Sequence, residues 1–548
     1  MISVADHVVR HLRRAGVGFI FGVPGGGSNL DLIEAAGRAG LPFVLTATET
    51  AGALAALAQA EISGRPGACL TTLGPGVTSV VTGIACAWLD RAPLLVFTDS
   101  PAASARHYEH QRIDHRALLA PITKWSAILS AENADAVMRE AIDRAMIEPR
   151  GPVHIECPAD VAAQPFLGGD PSRERAADDV AAAGQESPAL LDPAALAPLL
   201  SGARRALLLV GLGARRPFDS EAILALCARC GVPAMVTYKA KGVVPDADPH
   251  FAGIFTNGAI ERPLIAEADL LIGVGLDPVE LIPRPWAYDQ TIVNIGPWEV
   301  AEGHIRFAAQ LVTDIPSGMQ LVGELLPPPA WDLDAVHRLL VAQRQSICPQ
   351  TETLAAHRVV QIAADATAMQ GRVTVDAGAH MFPATMLWSV PEPNAMLISN
   401  GLSTMGFALP AAIGAALADR KGAAGAIHDH DSPVVALTGD GGLLMCSGEL
   451  LTAVRERLRI IVIVFADASL SLIDIKQQQR QHQAAGVALG PIDWCRLAES
   501  FGAAAHRASS EADLERALAM ALAHRGPTVI EALIDPSTYT ETLRTIRG

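Results

Sequence analysis

Short β-branched or apolar runs alternate with Ala-rich, helix-forming stretches along most of this chain. A helix between two strands can return the second strand parallel to the first. The pattern therefore dictates βαβ units and parallel sheets covered on both faces. The runs fall into three groups. Phe19–Gly22, Phe43–Thr48, Ala68–Thr72, Leu94–Thr98 and Val153–Glu156 form the first. Ala206–Gly211, Pro233–Thr237, Leu270–Val274 and Thr291–Ile295 form the second. Val373–Val375, Ala395–Ile398, Val434–Leu437, Ile460–Phe465 and Thr528–Leu533 form the third. Gly168–Ser187 is poor in large apolar residues and reads as a linker, and Pro327-Pro328-Pro329 marks a second boundary. The expectation is an α/β protein of three doubly wound parallel-sheet domains, 1–167, 189–326 and 351–548, with linkers at 168–188 and 327–350. The length of 548 residues agrees with this, at about 150 per domain.

Composition removes several function classes. Half of the residues are hydrophobic and 18% charged, which excludes a disordered chain. The net charge is −16 with no basic stripe, which argues against nucleic-acid binding. The longest apolar run beside a strand is Ile460–Ala466, far short of the roughly 20 residues a membrane helix needs. Met1–His7 has no signal-peptide pattern, and the eight cysteines are scattered, so the reading is a reduced, cytoplasmic protein. Cys227 and Cys230 have metal-like spacing. A structural zinc site needs four ligands and no second pair exists, so both are expected on a helix over Ser220–Cys230. His428-Asp429-His430-Asp431 reads as a solvated loop.

The stretch richest in chemistry is Pro433–Gly442. A β-branched strand runs into Thr438-Gly439-Asp440-Gly441-Gly442, a helix is expected over Ser447–Glu456, and a second strand ends at Ala466-Asp467. This is one βαβ crossover, which brings the C-terminal ends of both strands to one sheet edge. Asp440 and Asp467 are then neighbours. Two carboxylates can share Mg²⁺ with phosphate oxygens and water, while glycine amides approach the phosphate.

Further motifs accompany this unit: Phe21-Gly22-Val23-Pro24-Gly25, Thr48-Glu49, Leu73-Gly74-Pro75-Gly76, Gly151–Ile155 and Met405–Gly414. In these motifs and their order the chain resembles the thiamine diphosphate enzymes of the acetolactate synthase, pyruvate oxidase and benzoylformate decarboxylase group. It looks most like acetolactate synthase large subunits. The resemblance implies pyrimidine-binding, central and diphosphate-binding domains, in that order. It also implies a homodimer or homotetramer with the cofactor between the first domain of one subunit and the last domain of another. Glu49 matches the glutamate that shares a proton with the pyrimidine N1′. Gln111, in Glu109–Asp114, matches a glutamine that reaches the active site. Pro24, Gly25 and Gly76 match cofactor-binding loop positions. Met405 matches the apolar wedge between the cofactor rings, and the Ser403 carbonyl the acceptor for the pyrimidine amine. Gly378, Ala379 and His380 match the diphosphate loop, with Gly439, Gly441 and Gly442. Asp440, Asp467 and the Ser469 carbonyl match the Mg²⁺ ligands. Gly25–Ser28, Leu470, Leu472, Ile473 and Lys476 would wall the substrate pocket.

The chain also departs from the pattern. Ala466-Asp467 stands where two Asn are usual, and Ser403 and Ser471 replace common glycines. Gly275–Glu280 replaces the Arg-rich stretch near flavin, and Gly211-Leu212-Gly213 is too weak a motif to restore it, which argues against FAD. Thr72 stands where decarboxylases place a histidine, and the paired-His motif is missing, although His107, His110 and His115 lie nearby. The implied activity is a Mg²⁺-dependent lyase or carboligase on small 2-oxo acids: decarboxylation to an enamine, then addition to a second carbonyl. The alternatives are simple decarboxylation of the benzoylformate type, and an inactive cofactor-binding interaction protein. No lysine sits in a setting suited to a Schiff base, and no Gly-x-Gly-x-x-Gly helix start supports a nicotinamide enzyme.

Overall fold

The computed structural model describes residues 2–102, 105, 110–167, 193–301, 303–367, 371–420 and 432–548. The linker expected at 168–188, His107, Glu109 and the His428–Asp431 loop lie outside these residues. Among the described residues are three six-stranded sheets, and every strand pairing within them that is defined residue by residue is parallel. The first holds β1 Ile20–Val23, β2 Phe43–Leu45, β3 Gly67–Thr71, β4 Leu94–Ser100, β5 Ser126–Ile128 and β6 Pro152–Pro158. The second holds β7 Ala206–Val210, β8 Ala234–Val236, β9 Phe251–Ile254, β10 Leu270–Val274, β11 Thr291–Gly296 and β12 Ala309–Val312. The third holds β13 Val373–Val375, β14 Met396–Ile398, β15 Val434–Gly439, β16 Ile460–Ala466, β17 Ala504–Ala508 and β18 Thr528–Leu533.

The strand orders are β2-β1-β3-β4-β6-β5, β12-β11-β10-β7-β8-β9 and β14-β13-β15-β16-β18-β17. The first and third sheets therefore share one connectivity. In such open sheets a ligand crevice opens where the strand order reverses, outside the carboxyl ends of the two flanking strands. That point lies between β1 and β3 in the first sheet and between β13 and β15 in the third.

The chain forms two compact bodies. One comprises Met1–Glu186, Leu402–His430 and Cys446–Ile460, and the other Ser187–Gly401, Asp431–Met445 and Ile461–Gly548. In the first body the helix Glu49–Ser63 is buried all round from Ala51 to Glu61. Its small residues explain how. A Cβ on Gly52 would lie 2.9 Å from the Gly22 Cα, one on Gly83 2.5 Å from the Ala53 Cβ, and one on Gly414 2.1 Å from the Ala55 carbonyl oxygen. Backbone-close packing on three sides needs this composition. The second body buries the apolar faces of the other two sheets in a continuous core that includes Leu208, Val274, Ile295, Val375, Leu437 and Ile463. Cys227 and Cys230 do lie on one helix, Pro217–Cys230, and burial pushes the Cys227 thiol up to about 12.

Candidate active site

In the first body, β1 and β3 deliver the loops Val23–Gly27 and Thr72–Gly74 to the switch point. Thr48 caps the next helix, accepting from the Ala51 amide at 3.2 Å, so Glu49 begins the helix. Its carboxylate is half-buried and faces Gly76: a Cβ there would meet Glu49 Oε1 at 3.2 Å and Thr71 Oγ1 at 2.2 Å. Gly74 has φ +63° and donates its amide to His115 Nε2 at 3.1 Å. A Cβ on Gly74 would lie 2.4 Å from the Gln111 carbonyl oxygen. Glu49, Gly76 and the Gln111 backbone thus gather at one strand edge, with the Gln111 residue exposed. The Gly25 amide donates to Asn29 Oδ1 at 2.9 Å, and Gly25 packs against Asp99 and Thr72.

Glu449 holds the approach to Glu49. It is 1% exposed, and its Oε1 accepts from the Ala47 and Thr48 amides at 2.9 and 3.1 Å. Burial pushes its carboxyl up to about 7, against hydrogen bonds from Thr452 and these amides. Ser403 has φ +52°, the left-handed region that glycine adopts without strain and that a serine seldom takes. Met405 follows, half-buried, ahead of the helix Ala408–Arg420.

In the second body, β13 and β15 deliver Asp376–Ala379 and Gly439-Asp440 to their switch point. The chain turns helical immediately at Asp440, giving helices Asp440–Cys446 and Glu449–Arg455 in place of the expected Gly-rich turn and single helix over Ser447–Glu456. Asp440 and Asp467 do come together. Asp440 Oδ2 accepts from the Asp467 and Ala468 amides at 2.8 and 2.6 Å. Its Oδ1 accepts from Trp494 Nε1 at 2.6 Å. Asp467 accepts from the Ser469 amide at 3.1 Å and from the Ser471 hydroxyl. Burial pushes the Asp467 carboxyl up to about 6, opposed by those two bonds and reinforced by the Asp440 charge. Gly442 packs on Asp376, where a Cβ would lie 2.1 Å from Oδ2, and Thr438 Oγ1 donates to that oxygen at 2.7 Å.

His380 is buried, stacked on Phe465 with ring centroids 5.0 Å apart. Burial lowers it to about 4, so the ring is neutral, and its Nε2 is enclosed without a partner. A buried carboxylate, Asp440, beside a half-buried one, Asp467, with an orphaned imidazole nitrogen and glycines at a switch point, fits a dication-bound diphosphate. The second sheet behaves differently. At its β7–β10 switch point Glu280 Oε1 takes the Leu212 amide at 2.8 Å, and burial pushes that carboxyl up to about 8. The amide such a loop would offer a dinucleotide is thereby taken.

Trp494 and Glu449 escape sequence reasoning, as do the contacts of His115 with the Gly74 amide and of Glu280 with the Leu212 amide. Trp494 lies 54 positions from Asp440, and no local pattern links them. Glu449 carries only the signal of an acid at a helix start.

Comparison with known proteins agrees with this geometry. Residues 2–118 match the thiamine pyrophosphate enzyme N-terminal TPP binding domain, 194–321 the central domain and 376–532 the C-terminal TPP binding domain. A catabolic acetolactate synthase of Raoultella terrigena is 30% identical over 97% of this chain and 95% of its own length. An acetolactate synthase of Bacillus subtilis is 29% identical over 97% and 93%. A probable 2-ketoarginine decarboxylase of Pseudomonas aeruginosa is 30% identical over 97% and 94%. The chain belongs to the thiamine pyrophosphate enzymes, of the acetolactate synthase type. It is a thiamine diphosphate-dependent enzyme of the 2-oxo acid decarboxylase/carboligase class.

Proposed function

We propose that this enzyme is a Mg²⁺-dependent carboligase that joins a small 2-oxo acid to a second carbonyl compound, as an acetolactate synthase does. The observation that carries the metal dependence is the Asp440–Asp467 pair at the switch point of the third sheet. Thiamine diphosphate, when bound, supplies the carbanion chemistry. Asp440, Asp467 and the Ser469 carbonyl would hold Mg²⁺. Gly378, Ala379, Gly439, Gly441 and Gly442 would admit the diphosphate to backbone amides, and His380 would reach it only through its unpartnered Nε2. Glu49 would hold the proton at the pyrimidine N1′. Gly76 leaves room beside it, and Glu449 fixes the segment that precedes it. Met405 and the Ser403 carbonyl would position the rings, with Pro24, Gly25 and Gln111 along the substrate side. The domains would be 1–167, 189–326 and 351–548, and the active form a cytoplasmic homodimer or homotetramer. FAD is left out of this reading because Glu280 holds the Leu212 amide.

The test is Glu49→Gln against wild type on a 2-oxo acid panel with Mg²⁺ and thiamine diphosphate. General acid–base groups contribute about 10²–10⁴-fold. A loss of that size with cofactor binding preserved in calorimetry supports the role, and unchanged turnover removes it. Chelation should abolish activity and Mg²⁺ restore it. The identity to a probable 2-ketoarginine decarboxylase supports a second reading, decarboxylation with aldehyde release. Product analysis separates the two, because only ligation yields 2-hydroxy ketones or acids. No turnover on the panel would favour an inactive binding protein.

A further inference from the structure

The first helix, Val4–Arg14, carries two histidines one turn apart, His7 and His11, both buried. The helix packs on Ala134–Met146, whose Asp135 points at them. His7 Nε2, His11 Nε2 and Asp135 Oδ1 form a closed triangle with edges of 3.1, 3.2 and 3.3 Å. The ring of His7 is fixed by stacking on Phe166, centroids 3.9 Å apart and planes 11° apart.

Hydrogen bonding satisfies such a triangle poorly. One proton on His11 Nε2 can serve both neighbours, but then the lone pair of His7 Nε2 faces a carboxylate oxygen at 3.3 Å. Protons on both Nε2 atoms would oppose two N–H groups across 3.1 Å. A cation at the centre instead accepts one lone pair from each atom. With metal–nitrogen bonds of about 2.0–2.1 Å, the edge of a tetrahedron is about 3.3–3.4 Å, which the three atoms already span within about 0.3 Å. Two imidazoles and one carboxylate suit zinc-class ions rather than Mg²⁺ or Ca²⁺, which take oxygen ligands. The second oxygen of Asp135 is held by Arg139 at 2.8 Å, which orients the first. Arg139 and Arg10 are the cations that face the cluster and oppose a dication there.

We propose that His7, His11 and Asp135 form a three-ligand site for a zinc-class dication, of the open kind with a fourth position left to solvent, between the first helix and the helix Ala134–Met146. Solvent supplies the fourth ligand on the side where Asp135 is 26% exposed. The site shares no residue with the proposed active site.

The test uses the full chain, stripped with a chelator and returned to saturating Mg²⁺ and thiamine diphosphate, then titrated with Co²⁺ and separately with Zn²⁺. Wild type should take up one Co²⁺ with the intense visible absorption of a four-coordinate nitrogen-containing site, and Zn²⁺ should raise its Tm. Outer partners alone are worth about 10- to 100-fold in metal affinity, so loss of a ligand should weaken binding by about 100-fold or more. His11→Asn and the more exposed Asp135→Asn should therefore lose both signals at the same Co²⁺ and Zn²⁺ concentrations. If His11→Asn does not fold, Asp135→Asn decides alone. Wild type without the absorption band, or variants that keep it together with the Zn²⁺-dependent Tm rise, would overturn the proposal.

Discussion

Glu449→Gln separates burial from hydrogen bonding at the segment that carries Glu49. In the folded chain the Glu449 carboxyl is raised from its ordinary 4.5 to about 7, chiefly because it is buried. The folded value lies above the unfolded one. Its favourable contribution is therefore complete below about pH 4.5 and is lost as pH rises through about 7. At about 1.4 kcal/mol per pH unit, that gap is worth about 3 kcal/mol. Gln keeps an oxygen for the Ala47 and Thr48 amides and offers an N–H to the Thr452 hydroxyl, so it imitates the protonated acid without titrating. The variant should exceed wild type by about 1 kcal/mol or less at pH 5 and by about 3 kcal/mol at pH 8. Unfolding entropy is about 2.1 cal/mol/K per residue. If all 548 residues melt as one unit, the Tm difference is about 3 °C, and larger for a smaller cooperative unit. Differential scanning of both proteins at pH 5, 6, 7 and 8 reads this directly. Asp467 and Glu280 titrate alike in both and cancel. A Tm difference that stays flat with pH would refute the reasoning.

Asp246→Ala should cost about 3–5 kcal/mol by urea midpoint, because Lys241, fully buried and 3.1 Å from Asp246, loses its counter-charge. A loss below about 1 kcal/mol would show that Lys241 sheds its proton or finds another partner. Gly414→Ala should destabilise by about 1–3 kcal/mol or more, since its Cβ would sit 2.1 Å from the Ala55 carbonyl oxygen. Gly37→Ala, also in a helix but with nothing within 4 Å, should instead be neutral or stabilise by up to about 1 kcal/mol. Equal melting temperatures for these two variants would contradict the packing account.

Four strands have no counterpart in the sequence reading: β5, β9, β12 and β17. Each lies at the edge of its sheet. Central strands such as Ile460–Ala466 are covered on both faces and show continuous β-branched runs. An edge strand such as Ala504–Ala508, with only its last residue buried, needs no such run and resembles a loop. The helix starting at Asp440 was equally hidden, because glycines there suggest a turn until the close approach of Asp376 to Gly442 is seen.

What the sequence alone determined was periodicity and local chemistry: parallel α/β architecture, the two acids at neighbouring strand ends, and the glutamate after the second strand. These follow from short-range geometry, since a βαβ crossover fixes where its strand ends lie. Only the tertiary structure decided which distant groups pair: Trp494 with Asp440, Glu449 with the Thr48 amide, Glu280 with the Leu212 amide, and Asp135 with His7 and His11. Such pairings join residues far apart in the chain. They are selected by burial, which makes an unpaired polar group costly and so forces each to find a partner wherever the fold brings one.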